Sequence, residues 1–484
     1  MASSQKPFRV IIVGGGLVAL TAAHMFSKAD IEFVILEQHE SLFPEIGSLL
    51  TLWPPTFRIL DQLGLLDAVK LVIDDINLGV TMSADDGTIY SEMSPNTIVE
   101  KNHGYGVRVT HRPRFVEALH NTLPKDVQSR IKLNKRVVNI NVSDDEVSVD
   151  CADGTTVKGS IIIGADGVHS RTRQCMQALA EGKPPPDKAQ AAKSPYIATY
   201  RMLFANIPIP PTLEQGINYE CSAERVSTQL VTGKNQAWLG VYEALEKPTS
   251  ERIRYTDKDK EDVVERYGHL YVAPGCRVCD VYPTRTGNVG LINLEEGRID
   301  KWSWNRIVLV SDAVRKLEPH AGLGYNSGLA DMVVLVNKLR NLLRTQASPT
   351  TKELEAAFAD YQKVRLRDES TVHTISIRRA RQTAWLTPFN RIMCKYIAPW
   401  THFTYIGLVY IWGPVVSRVP VLEWLEEKSL TKTFQVPYKY YPLMDESRNS
   451  FSTGNESYRR SIYTGAAAVA ALAAVGFQYY RRIY

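Results

Sequence analysis

The sequence is poor in the features that mark the more specialised protein classes. Its 484 residues hold six cysteines, at 151, 175, 221, 276, 279 and 394, too few for a disulfide framework. Cys276-Arg-Val-Cys279 is a solitary CxxC, and the ten histidines contain no HxH or HExxH spacing. A zinc site needs a second pair or spaced histidines, so these thiols read as structural. The chain also lacks a cationic body. Its net charge is +5, and residues 447–484 carry five arginines against the single acid Glu456. The remainder is near neutral, which excludes a nucleic-acid binder that works by releasing counterions. There is no internal repeat, and the opening MASSQKPF has no apolar signal-peptide core. Few cysteines and no leader predict a reducing, cytosolic setting for the catalytic body. With 44% apolar and 23% charged residues, the composition is that of a globular protein, long enough for two or three units.

What is present begins at once. Arg9-Val-Ile-Ile-Val13 is a β-branched run suited to a strand buried on both faces. Gly14-Gly-Gly16-Leu-Val-Ala19 follows and fits G-x-G-x-x-G/A, an amphipathic stretch runs to Lys28, and a second strand-like run ends at Glu37. Gly14 permits the tight turn, Gly16 lets the backbone approach a pyrophosphate, and Ala19 allows close helix–strand packing. The helix start offers N–H groups to phosphate, and Glu37 would accept from ribose hydroxyls. The pattern predicts dinucleotide binding but does not separate NAD from FAD.

Two later segments bear on that choice. Ser160-Ile-Ile-Ile-Gly164-Ala-Asp166-Gly167-Val-His-Ser170-Arg-Thr-Arg173 is a strand running into a turn. Arg306-Ile-Val-Leu-Val310 is another strand, followed by Ser311-Asp312-Ala313, Pro319-His-Ala-Gly322-Leu-Gly324-Tyr325-Asn326 and an amphipathic helix. Together these three motifs resemble those of the group A flavoprotein monooxygenases over about residues 8–440. The resemblance implies an α/β fold: a Rossmann-like FAD-binding domain of the aromatic-hydroxylase type, an interleaved β-sheet substrate domain and a helical C-terminal region. It also implies bound FAD, NADPH as a transient co-substrate, and O2. On that basis Asp312 would hold the ribityl hydroxyls, Gly322, Gly324 and Tyr325 would offer backbone N–H groups to the flavin, and Arg112 would contact FAD at a helix start. Asp166 would handle FAD or NADPH. The lesser alternative for Arg112 is a surface arginine at a helix start. The sequence departs from the family at Ser311 (usually Gly) and at Arg315 (usually His). The resemblance also implies flavin contacts from the loop bearing Gly47 and Thr51, where Thr51 and Pro55 replace the usual Gly and Asn.

No side chain here oxidises anything, so the chemistry belongs to the cofactor. Residues 194–245 carry strand-like runs that suit a sheet roofing the flavin pocket. Within them Arg201 sits among apolar neighbours, where an unpaired cation is costly, and it matches an arginine proposed as catalytic in fungal relatives. The alternative is a place on the solvated face of the sheet. Tyr219 is a weaker candidate for a substrate hydrogen bond. The wording Pro319-His-Ala-Gly-Leu-Gly324, the stretch Arg379 to Phe389 and Tyr438 to Leu443 resemble the fungal flavin epoxidases of indole-diterpene and meroterpenoid pathways. That implies epoxidation of a prenyl double bond, with a separate cyclase acting on the product. A phenolic-ring hydroxylase and a non-catalytic carrier of prenylated cargo remain the alternatives.

The expected organisation is FAD-binding, first part, 1–180, with a substrate-side insertion at about 75–110. A substrate sheet at 181–295 and the second FAD-binding part at 296–345 follow. A helical region at 346–443, a polar linker at 444–460 and a membrane anchor at 461–480 complete it. The last rests on twenty uncharged residues between Arg460 and Arg481, about 30 Å as a helix, flanked by tyrosines and arginines. An endoplasmic-reticulum tether is expected. A second uncharged stretch, Tyr396 to Ser417, reads as either core packing or a membrane-dipping surface.

Overall fold

The computed structural model describes residues 7–43, 49–186, 193–399, 403–429, 436, 438–440 and 442. Gly47 and residues 444–480, with the expected linker and anchor, lie outside the described residues. Among the described residues no helix is long and apolar enough to cross a membrane. Of the stretch 396–417, residues 396–399 and 403–417 are described. Its described part ends in π-helical turns and short helices, and Trp412 stacks on Trp53 with ring centroids 4.7 Å apart.

A six-stranded sheet runs in the order 303–304, 307–309, 161–164, 9–13, 32–36, 131–132 and is parallel except at its first hairpin. The central strand Arg9–Val13 is β-branched and almost wholly buried, as expected of a strand covered on both faces. Gly14 has φ +103°, and a Cβ there would lie 2.6 Å from the Ala165 carbonyl oxygen, so this turn requires glycine. The helices Leu17–Lys28 and Gly324–Thr345 pack together on the sheet.

The second large sheet has eight strands, 315–316, 286–298, 193–207, 237–251, 226–232, 217–223, 78–83 and 89–93. Residues 78–93 reach it from inside the first FAD-binding segment. Side chains alternate across a strand, so the sheet has two distinct faces. Leu203, Val241, Leu230, Tyr219 and Cys221 pack with Val263 and Tyr282 in a core beneath it. Met202, Phe204, Gln229 and Tyr242 look the other way, into a cavity. The 33-residue helix Thr351–Thr383 begins with a Thr350–Glu353 capping box and ties the two sheets together. Its Arg365 bonds Asp331, and its Arg381 bonds Glu296.

The C-terminal segment straps the helix Pro54–Leu63. Arg58 donates to Glu427 at 2.6 and 2.9 Å, and the Tyr438 ring lies 3.8 Å from its guanidinium carbon. Beside them His103 is buried, and desolvation, with Arg58 nearby, holds its pKa down to about 3. In the unfolded chain it titrates near 6.5, so the unfolded state takes up the proton first and stability falls as pH drops below 6.5. By pH 5 this one group costs about 2 kcal/mol. Urea unfolding at pH 7.5 and 5 is expected to show that loss in the native sequence and a shallower one in His103→Gln. Equal slopes would place the acid sensitivity elsewhere.

Candidate functional site

Two helices open onto one cavity of about 330 Å³. Neither Leu17–Lys28 nor Gly324–Thr345 has a side-chain cap at its N-terminus. The first-turn N–H groups of each are therefore unclaimed, with the positive end of the dipole behind them. Gly16, Leu17 and Val18 line the cavity at one start, and Gly322, Gly324 and Tyr325 line it at the other. A Cβ on Gly16 or Gly324 would meet nothing within 4 Å, so the space above both turns is open for a ligand to approach the backbone. Gly322 has φ +63°, and a Cβ there would fall 2.5 Å from that of Thr51. Thr51 thus fills the space beside the turn rather than breaking the cradle.

Glu37 accepts from the N–H of Gly15 at 2.6 Å and of His39 at 2.9 Å, which fixes its carboxylate beside the glycine turn. Ala19 is fully buried under the helix. Arg112 is the first residue of the helix Arg112–Asn121 and lines the cavity. Asp312 also lines it, with Lys316 Nζ 2.6 Å from its carboxylate. The cavity therefore brings together Gly16, Thr51, Arg112, Asp312, Gly322, Gly324 and Tyr325 from segments far apart in sequence. Two anion-attracting helix starts with a carboxylate lining the same cavity fit a long ligand that has a pyrophosphate along its length and a hydrogen-bonding ring at one end.

Asp166 has a different position. Its carboxylate accepts from Ser170 Oγ at 2.5 Å, Thr172 N–H at 2.9 Å and Thr172 Oγ1 at 3.0 Å. Ser170 in turn caps the helix Arg171–Ala180, and Arg173 donates to the Ala313 carbonyl at 2.9 Å. This motif joins the two strand-end turns; Ala165 and Gly167, not Asp166, line the cavity.

Arg201 and Tyr219 lie on the far side of the roof. Arg201 follows the alternation of its strand onto the face opposite Met202, where its Nε is 2.5 Å from Glu243. Arg266 and Tyr267 bond the same carboxylate at 2.6 and 3.0 Å. Neither Arg201 nor Tyr219 lines the cavity, and Tyr219 belongs to the core beneath the sheet. Apolar neighbours along a strand do not reveal which face a side chain takes; parity does. Arg201→Ala is therefore expected to keep flavin and turnover and to lower stability by about 1–3 kcal/mol, since Glu243 loses a charged partner. Calorimetry and a turnover assay on the same preparation check it; a stable but inactive variant would return Arg201 to the reaction.

The departures at 311 and 315 also have places. Ser311 takes φ +57°, a strained value for a residue with a Cβ. Its N–H donates to Asp331 at 2.9 Å. Arg315 is buried with its Nη2 2.8 Å from Asp331 and its Nε 3.2 Å from Glu369. Burial opposes its charge, but Asp331 and Glu369 outweigh that and raise its pKa.

The cavity wall also holds residues the sequence did not single out as functional, among them Gln229, Trp238, Tyr242 and His320. The first three share the cavity face with Met202 and Phe204, and their parity would have found them.

Comparison with known proteins agrees with this geometry. Residues 8–356 match the family model described as an FAD binding domain. The FAD-dependent monooxygenase srdH of Neurospora crassa is 35% identical over 417 residues, covering 81% of this chain and 90% of that protein. The FAD-dependent monooxygenase ausM of Penicillium brasilianum is 29% identical over 459 residues, covering 94% and 92%. In fold, the chain is similar to Klebsiella pneumoniae HpxO complexed with FAD and uric acid. The TM-score is 0.66 at 18% identity, over 84% of this chain and 96% of that one.

Proposed function

From the premise that this chain belongs to the group A FAD-dependent monooxygenases, we propose that it uses NADPH and O2 to epoxidise a prenyl double bond of a meroterpenoid or indole-terpenoid intermediate. The observation that carries this reading is one cavity that joins two uncapped helix starts to a sheet roof bearing Met202, Phe204 and Trp238. Bound FAD, once reduced, would supply the electrons that activate O2 and leave one oxygen atom available to an electron-rich carbon. The chain's own residues hold and shield. The helix starts at Leu17 and Gly324 would hold the pyrophosphate and the flavin ring, Arg112 and Asp312 would bond what lies between them, and Glu37 would take the ribose beyond the pyrophosphate. Met202, Phe204 and Trp238 keep water from the reacting face, and an apolar wall suits a prenyl chain.

Hydroxylation of a phenolic ring stays as the second reading, because Gln229 and Tyr242 of the roof meet His320 of the facing loop in one polar corner. A membrane tether through residues 461–480 would place the active body beside a lipophilic substrate, and a cyclase that opens an epoxide would consume the product. Incubating the purified protein with prenylated indoles and polyketides, NADPH and air, followed by mass spectrometry, tests the reaction. The product should gain one oxygen as an oxirane that opens in acid. An acid-stable phenol would favour the second reading, and a yellow protein with no substrate-stimulated NADPH consumption would end both. Deleting residues 461–484 should release the protein from the membrane pellet.

A further inference from the structure

Glu318 is fully buried, and both its carboxylate oxygens are spent on one residue. Oε2 accepts from the backbone N–H of His320 at 2.9 Å, and Oε1 lies 2.5 Å from His320 Nδ1. The ring is therefore held in one orientation, with Nε2 at its far edge. There Nε2 meets Ser227 Oγ on the roof at 3.3 Å, a long contact. The ring face lies on Tyr242, with centroids 4.0 Å apart. Tyr242 donates to Gln229 at 2.9 Å, and Gln229 donates to Asn218 at 3.0 Å. Those two polar groups satisfy each other along the sheet. His320 Nε2 is the least firmly held polar atom of the corner, and His320 lines the cavity while Ser227 does not.

Burying a carboxylate is costly unless it is paired, and apolar packing could brace the loop to the roof without it. What a carboxylate adds is control of the imidazole: it claims the Nδ1 side and leaves Nε2 to bond another group. The roof beside this corner presents Met202, Phe204 and Trp238, and its polar side chains Gln229 and Asn206 are bonded to Asn218 and His111.

We propose that His320 is the polar anchor of the substrate compartment, presented by Glu318 as its positioning residue, and that Nε2 exchanges Ser227 for a hydroxyl of the bound ligand. The compartment then prefers an isoprenoid skeleton bearing a hydroxyl to the matching hydrocarbon. The proposal rests on the reading of this cavity as the monooxygenase site, but its test measures binding and needs no turnover.

Oxidised, flavin-loaded protein is titrated with farnesol and with farnesene, followed by calorimetry and by perturbation of the visible flavin spectrum. The native protein should bind farnesol about tenfold more tightly than farnesene, the effect of one hydrogen bond in a desolvated site. His320→Phe should bind both alike with flavin content kept, and His320→Gln, which restores an amide near the Nε2 position, should recover part of the preference. Glu318→Gln should weaken it, and Ser227→Ala should retain it. Absence of a preference in the native protein, including failure to bind either ligand, overturns the proposal. So does a preference that survives in His320→Phe; if that variant also melts earlier, the Glu318–His320 pair is a brace and nothing more. Loss of epoxidation with the preference intact would count against the reaction assigned above and leave the anchor standing.

Discussion

Asp312→Ala is expected to fold normally and to emerge from purification without its yellow colour. The carboxylate lines the cavity between the two helix starts and is only partly buried, with Lys316 as its one ion-pair partner among the described residues. Removing it costs the fold little. It takes away a charged acceptor from the middle of the cradle, and a hydrogen bond to a charged group is worth about 1.5–3 kcal/mol. The flavin should therefore bind about 10–100-fold more weakly, measured by reconstituting the apoprotein with FAD and following fluorescence quenching. Lys316→Met is the control, because it removes the partner and spares the carboxylate. It should keep its colour. Full occupancy in Asp312→Ala would mean that the ribityl chain is held elsewhere.

The larger effect on stability is expected from Asp331→Ala. Asp331 is completely buried in the helix Gly324–Thr345 and accepts from three directions. Arg315 and Arg365 reach it at 2.8 and 2.7 Å, and the N–H of Ser311 at 2.9 Å. Truncation leaves two buried guanidinium groups short of a counter-charge and a strained turn short of its acceptor. Breaking such a buried pair costs about 3–5 kcal/mol, read as a shifted urea midpoint. Flavin should be lost as well, because the Ser311 turn carries Asp312. Asp331→Asn, which keeps an acceptor for Ser311, should fall between. A change under about 1 kcal/mol in Asp331→Ala would mean that Glu369 alone balances both arginines.

These two residues also mark where sequence reasoning succeeds and where it stops. The glycine turn after Val13, the acid at Glu37 and the turn at Ser311-Asp312 are local patterns whose meaning lies in a few adjacent residues. The cradle could therefore be read one motif at a time. Asp331 shows no such pattern. Its partners stand 20, 16 and 34 residues away, and helix geometry alone does not say that they converge. Arg315 was visible as a departure from the family, but its compensation by Asp331 and Glu369 needed the packing of two helices. Arg201 lies away from the cavity for a simpler reason. In a strand a shift of one residue reverses the face, and apolar neighbours on both sides carry no information about which face is which. His320 stands inside a readable motif, whereas Glu318, two residues earlier, shows no pattern of its own. The ring was legible, and the group that aims it was not.

The two-faced roof has a consequence for how such enzymes diversify. Positions 202, 204, 229 and 242 face the cavity, 242 being also packed on His320, while 203, 219, 230 and 241 belong to the packed layer below. Exchanges in the first set can redraw the shape and polarity offered to a ligand without loosening the second. A lineage carrying this sheet can thus explore new chemical cargo at small risk to its own folding, so neighbouring sequences can drift apart in substrate while the scaffold stays recognisably the same.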